Sequence, residues 1–233
     1  MFRLDNLVLE QDGFRLSADW QAEPGAKIAV IGPSGAGKSS LLAAIAGFYA
    51  PASGRIWLDG RDLTGLPPGE RPLSILFQDQ NLFPHLSVAQ NLGLGIRPDL
   101  RLAPPDHARV AEALERVGLA GLGARKPAQL SGGQASRAAL ARVLLRARPL
   151  LLLDEPFAAL GPALKSEMLA LLTEVAGETG ATVLMVTHEP RDALDFAGQT
   201  VLVANGTAAP PVATGPLLAD PPPALAAYLG LKS

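Results

Sequence analysis

The chain of 233 residues contains no cysteine. That excludes disulfides and cysteine-ligated zinc, and it fits a reducing compartment. Positive charge is not in excess: 20 Lys and Arg stand against 22 Asp and Glu, for a net charge of -2. The basic field of a nucleic-acid-binding surface is therefore missing. Long apolar runs are missing too. The longest, such as "LLAAIAGFYA", fall well short of the roughly twenty residues that span a bilayer. The N-terminal "MFRLDNLVLEQDGF" places charges where a signal peptide needs an apolar core. No internal repeat is found. What is present is a globular composition, 48% hydrophobic and 18% charged, on a chain long enough for one large or two small cores. A chain of this kind working at a membrane must be held there by another protein.

The first thirty residues alternate loosely, as in "FRLSADW", and read as half-buried antiparallel strands. "GAKIAVIG", ending at Gly32, is a short buried strand running into glycine. "KSSLLAAIAGF" follows as a helix with an apolar stripe through Leu41, Leu42, Ile45 and Ala46. "GRIWLDG" is a strand closed by Asp59-Gly60, "LTGLPPGERP" a proline-rich loop, and "LSILFQD" a strand ending at Gln78. From Asn81 to about Arg148 strand-like runs give way to helical ones: "SVAQNLGLG", "DHARVAEALERVG" and "GGQASRAALARVLLRA". "PLLLLDEP" and "ATVLMVTHE" are apolar on both faces, as central parallel strands are, and the helix "PALKSEMLALLTEVAGETG" lies between them. "TVLVANGTA" reads as a late strand and turn, followed by a proline-rich tail with one short helix. The expected fold class is α/β: a phosphate-loop nucleoside-triphosphatase core with a mainly parallel sheet, an N-terminal antiparallel β subdomain and a helical subdomain. The expected division is one domain over 1–233. Residues 1–78 and 149–233 form the core and 79–148 the helical insertion.

"GPSGAGKS" matches G-x-x-x-x-G-K-[ST] between a strand and a helix. Gly32, Pro33, Ser34, Gly35, Ala36 and Gly37 form a loop whose backbone N–H groups face phosphates with no side chain in the way. Lys38 supplies a point charge, Ser39 a hydroxyl for Mg²⁺, and Ser40 reaches the α-phosphate side. "LLLLDEP" ends a buried strand on two carboxylates, at the strand end where open parallel sheets bind ligands. Asp154 is the expected metal-shell residue and Glu155 the residue that polarises the attacking water. Gln78, at a strand end, can touch the metal or the water. His188, at another, can contact the γ-phosphate and orient Glu155. A second glycine-rich helix start, "LSGGQASRAALAR", follows Leu130. It duplicates an anion site that the first loop already provides.

The phosphate loop, "LFQDQNLF", "LSGGQ", "LLLLDEP" and "VTHE" stand in the order and spacing of ATP-binding-cassette ATPases, which the chain resembles over almost its whole length. "LSGGQ" is the specific element, since other phosphate-loop proteins lack it. Within that family, "IGPSGAGKSSLLAAIAGF", "PASGRIWLDG" and "LLLLDEPFAALGPALKSEMLALL" are similar to ATP-binding subunits of bacterial thiamine importers. The resemblance implies Mg²⁺-dependent ATP hydrolysis that drives import of thiamine and its phosphates. It implies a head-to-tail pair of subunits that sandwiches two ATPs. Ser131, Gly132, Gly133 and Gln134 of one copy would then close on the γ-phosphate held by the other. It further implies a transmembrane permease, a periplasmic substrate-binding protein met indirectly, no nucleic acid, and a peripheral place on the cytoplasmic face of the inner membrane. "NLFPHLSVAQNLGLG" is the expected permease-facing surface, with Leu82, Phe83, Pro84 and Leu86 as exposed apolar residues. Related importers of iron, polyamines, sulfate or molybdate often carry a C-terminal β-rich regulatory domain, which this sequence is not expected to have. Soluble cassette ATPases usually join two cassettes or insert a long coiled coil, and neither is present. The N-K-x-D motif of GTPases is absent. Three positions depart from the family pattern: Ala135 replaces a common arginine, Gly161 replaces an interface aspartate, and the adenine-stacking aromatic is open between Phe14 and a substitution by Gln11.

Overall fold

The computed structural model describes residues 1–11, 13–77 and 82–230. Strands β1 (Phe2–Gln11) and β2 (Phe14–Ala22) pair antiparallel from Phe2↔Ala22 to Gln11↔Phe14. The loose alternation in β1 has a local cause. Phe2 and Leu4 are buried, the register then slips at a bulge where Asn6 has φ 47°, and burial resumes at Leu7 and Leu9. One inserted residue moves the inward face by one position.

β3 (Lys27–Ile31) runs into α1 (Lys38–Ala46). All of Leu41 to Ala46 is buried, so the whole apolar run of α1 is covered rather than a stripe of it. Its C-terminus is closed by Gly47 at φ 92° and by the buried Arg71 guanidinium, which donates to the carbonyls of Ala44 at 2.9 Å and Ile45 at 2.7 Å. Last-turn carbonyls lack the regular helical partner; that of Ala44 also accepts from the Gly47 N–H at 3.0 Å. β4 (Ser53–Leu58) and β5 (Arg61–Asp62) form a tight hairpin through Asp59 and Gly60, both at positive φ, as a two-residue turn of this hand requires. β6 (Leu73–Leu76) follows.

Next come α2 (Val88–Gly93), α3 (Pro104–Arg116) and α4 (Gly132–Leu145). Then β7 (Leu150–Asp154), α5 (Pro162–Thr179) and β8 (Thr182–Val186) return the chain to the sheet. α6 (Pro190–Phe196), β9 (Gln199–Ala204), β10 (Thr207–Ala208), β11 (Val212–Ala213), α7 (Thr214–Ala219) and α8 (Pro223–Tyr228) complete the described chain. The tail thus holds two short helices rather than one, and "ANGT" is a hairpin turn between β9 and β10.

Among the described residues the strands order as β5-β4-β1-β2-β10-β9-β3-β8-β7-β6, with β11 on β9. The run β9-β3-β8-β7-β6 is parallel throughout. β7 and β8 are buried at every residue. Alternate residues of this parallel sheet feed two cores. Ala29, Ile31, Leu151, Leu153, Val183 and Met185 face the helices α2 to α5. Ile28, Val30, Leu150, Leu152, Leu184 and Val186 face α1 and the antiparallel strands. Because the sheet is covered on both sides, its strands read as continuous apolar runs. No described helix is long and apolar enough to cross a membrane.

Candidate functional site

Three loops leave the carboxyl ends of neighbouring parallel strands: 32–37 after β3, 155–161 after β7 and 187–189 after β8. The sheet therefore brings Lys38, Asp154, Glu155 and His188 to one edge, although their positions in the chain span 150 residues. Gln78, expected beside them, lies outside the described residues, as does the expected boundary at 78/79.

The 32–37 loop needs its glycines. Gly32, Gly35 and Gly37 have φ of 150°, 76° and 98°, a region that side chains rarely enter. A Cβ on Gly32 would run into the Val203 carbonyl, and one on Gly37 into the Phe14 ring. Phe14 therefore does reach the loop, half-buried against Gly37, whereas Gln11 is exposed at the hairpin end. Gly37 gives α1 no side-chain cap, so the first N–H groups of the helix are left for a ligand.

Lys38 is buried, and its Nζ donates to the carbonyls of Gly32 at 2.8 Å and Pro33 at 2.9 Å. Burial lowers its pKa, while Glu155 and Asp154 pull the other way. Asp154 is buried at the end of β7, and burial is the main reason that its carboxyl is held above the usual carboxylate range. Glu155 adds to the rise, and Ser39, which hydrogen-bonds to it, and Lys38 oppose it. A desolvated carboxylate beside a serine hydroxyl offers oxygen ligands that fit a hard cation, while the Lys38 ammonium suits the phosphate that such a cation would accompany.

Glu155 adopts φ 47° and holds that conformation through its N–H, which donates to the Val186 carbonyl of β8 at 3.1 Å. A non-glycine residue there is strained. The kink turns the chain at the strand end, and the Glu155 carboxylate meets His188 Nδ1 at 3.2 Å. The His188 loop is braced by a network that the sequence pattern did not reveal. Lys165, buried on α5, contacts Glu189 at 2.7 Å and Asp192 at 3.4 Å. Thr187 Oγ1 donates to Asp192 at 2.9 Å and accepts from the Glu189 N–H at 3.1 Å. Burial would lower the Lys165 pKa, but the carboxylates of Glu189 and Asp192 together outweigh it and raise it. Lys165 holds Glu189 below its ordinary range in turn.

The second glycine-rich helix start is built differently. Ser131 Oγ accepts from Gln134 N at 3.3 Å, and Gln134 Oε1 accepts from Ser131 N at 3.0 Å, a reciprocal capping box. Gly132 has ordinary φ and open space around it, while a Cβ on Gly133 would press on Leu160. Arg137 fastens this helix to the end of α3, donating to the Val117 carbonyl at 2.9 Å and to that of Gly118 at 3.2 Å. Ala135 is half-buried on α4. Gly161 starts α5 with no side-chain cap. Of the four apolar residues expected on the surface, Phe83 and Pro84 are exposed. Leu82 and Leu86 are half-buried, Leu82 against the helical core, so that expectation holds for two of the four.

A family model described as ABC transporter matches residues 17–158. A thiamine import ATP-binding protein of Cereibacter sphaeroides is 70% identical over 99% of this chain and 100% of its own length. The protein of the same name in Yersinia pseudotuberculosis is 46% identical over 100% of this chain and 98% of its own. Among solved structures, the dimeric post-hydrolysis state of the ATP-binding cassette MJ0796 bound to ADP and Pi superposes with a TM-score of 0.82 at 27% identity. It covers 92% of this chain and 99% of that one.

Proposed function

The chain belongs to the ABC transporter family and is an ATP-hydrolysing subunit, and on that premise we propose that it drives a bacterial importer whose cargo is thiamine and its phosphates. The 70% identity to a thiamine import protein over the full matched length carries the cargo. The contact of Glu155 with His188 beside the phosphate loop carries the mechanism. ATP seats its phosphates on the N–H groups of 32–37 and the start of α1. Lys38 exchanges its two loop carbonyls for phosphate oxygens. Ser39 and Asp154, with Gln78, would hold Mg²⁺, which when bound would supply positive charge against the phosphate oxygens. Glu155 accepts the proton of the attacking water, and His188 keeps that carboxylate in place and meets the γ-phosphate. Ser131, Gly132, Gly133 and Gln134 of a second copy complete the site, so that ATP closes the pair and hydrolysis opens it. A transmembrane permease receives this motion at the surface around Phe83. The subunit sits on the cytoplasmic face of the inner membrane, and a periplasmic binding protein delivers cargo from the other side. Residues 79–148 form the helical lobe that presents the second helix start, while 1–78 and 149–233 form the nucleotide-binding core.

The test is the reconstituted transporter. Thiamine delivered by its binding protein should stimulate ATP turnover. Glu155→Gln should keep ATP binding and trap the closed pair, while turnover falls by about 10²–10⁴-fold, as for loss of a positioned base. Indifference to thiamine sinks the cargo, and near-normal turnover of the variant sinks the role of Glu155.

A further inference from the structure

The C-terminal segment makes a contact with the hydrolytic loop that the reading above leaves unused. α8 is anchored by Leu225, fully buried in the core on the helical face of the sheet, with Tyr228 and Leu229 packed against the same core. From that anchor the Tyr228 hydroxyl donates to the backbone carbonyl of His188 at 2.8 Å, a bond between residues forty positions apart. The imidazole of the same residue holds Glu155 at 3.2 Å. On its other flank the loop is tied to α5 through Glu189 and Asp192. Burial raises the Tyr228 phenol, and the nearby Glu155 charge adds to the rise, so the hydroxyl stays protonated and remains a donor at any working pH.

We propose that Tyr228 is a positioning residue for ATP hydrolysis: its hydroxyl latches the His188 main chain so that the imidazole stays on the Glu155 carboxylate. The peptide that joins His188 to Glu189 is held from both sides. Its N–H donates to Thr187 Oγ1 at 3.1 Å, and its carbonyl accepts from Tyr228 at 2.8 Å. Rotation of that peptide would swing the imidazole, and the Tyr228 bond is the tether on its carbonyl side. The proposal rests on Glu155 and His188 being the hydrolytic pair.

The test is a double-mutant cycle on the full-length chain. Tyr228→Phe keeps the ring and its packing and removes only the donor. The expected result is a kcat lower by about 3–10-fold, the rate equivalent of one neutral hydrogen bond. KM for ATP and the melting temperature should stay unchanged. In a His188→Ala background, already slowed, the same change should cost nothing further, because the group it positions is gone. An unchanged kcat in Tyr228→Phe overturns the proposal. So does an equal loss in both backgrounds, which would mark a general packing effect. Near-normal turnover of His188→Ala alone is a different failure: it removes His188 from the hydrolytic pair and the proposal with it.

Discussion

The chain carries two glycine-rich helix starts, before α1 and before α4, and they solve opposite problems. The first is open and costly. Its glycines sit at positive φ, its helix has no side-chain cap, and it gathers the buried charges of Lys38 and Asp154. Unsatisfied N–H groups and desolvated charge are unfavourable until a phosphate and a cation arrive. The second is closed and neutral, since Ser131 and Gln134 satisfy each other. Alone it has no need of a ligand. Under the proposed reading it must exchange that internal cap for phosphate oxygens on another copy. The first start is thus a site in waiting, and the second becomes one only when two chains meet.

The largest effect that separates the two comes from Ser131→Arg. It places a long charged side chain where the second copy's nucleotide would approach, and it leaves the 32–37 loop untouched. ATP binding to the single chain, measured by titration with a fluorescent analogue, should be unchanged. ATP-driven dimerisation should disappear in size-exclusion runs, with turnover falling by about 10²-fold or more, as for loss of a transition-state donor set. Loss of the cap should also cost the fold about 0.5–2 kcal/mol. If binding to the single chain fails instead, the two starts do not act on separate molecules.

A smaller effect bears on why the second start has glycine at all. Gly37 is required by its φ of 98° and by the Phe14 ring. Gly132 has no such requirement: its φ is ordinary, and nothing lies within 4 Å of the Cβ it lacks. Alanine there should be neutral or favourable for the fold, since it is the better helix former. If phosphates from a second molecule approach this backbone, the methyl obstructs them. Gly132→Ala should therefore leave the melting temperature unchanged or raise it by about 1–3 °C, while turnover drops about tenfold, within the range for a weakened oxyanion contact. Full activity would show that Gly132 faces only solvent.

The contrast also marks what could be read from the residues. The open start was legible because its chemistry is local: glycines, lysine and serine in one short run between a buried strand and a helix. β7 and β8 were legible because strands covered on both faces read as unbroken apolar runs. The Ser131–Gln134 box lies within four residues and follows a known pattern. What escaped is what the fold assembles from distant positions. Lys165 meets Glu189 and Asp192 across a helix and a strand, and Tyr228 meets His188 from the far end of the chain. Neither carries a spacing signal. Short elements such as β5, β11 and α6 also escaped, since their existence depends on tertiary pairing rather than periodicity.

The two starts differ least in what their charges do to the stability of the fold. Asp154 is held above the ordinary carboxylate range mainly by burial, and the pull of Lys38 is the weakest of the four influences on it. A carboxyl whose folded pKa is raised binds its proton more tightly in the folded state. Its contribution to stability is therefore greatest at acid pH and declines as pH rises through the folded pKa, leaving a net cost at neutrality without a cation. Asp154→Asn removes that charge and keeps an acceptor for Ser39. In chelator at pH 7.5, the variant should melt above the parent. The gain should shrink as pH falls and the parent carboxyl takes up its proton. Mg²⁺ with ATP should then stabilise the parent more than the variant, while turnover survives only in the parent. A lower melting temperature for Asp154→Asn at neutral pH would mean that Lys38 and Ser39 outweigh desolvation, and that the first start is as self-satisfied without ligand as the second.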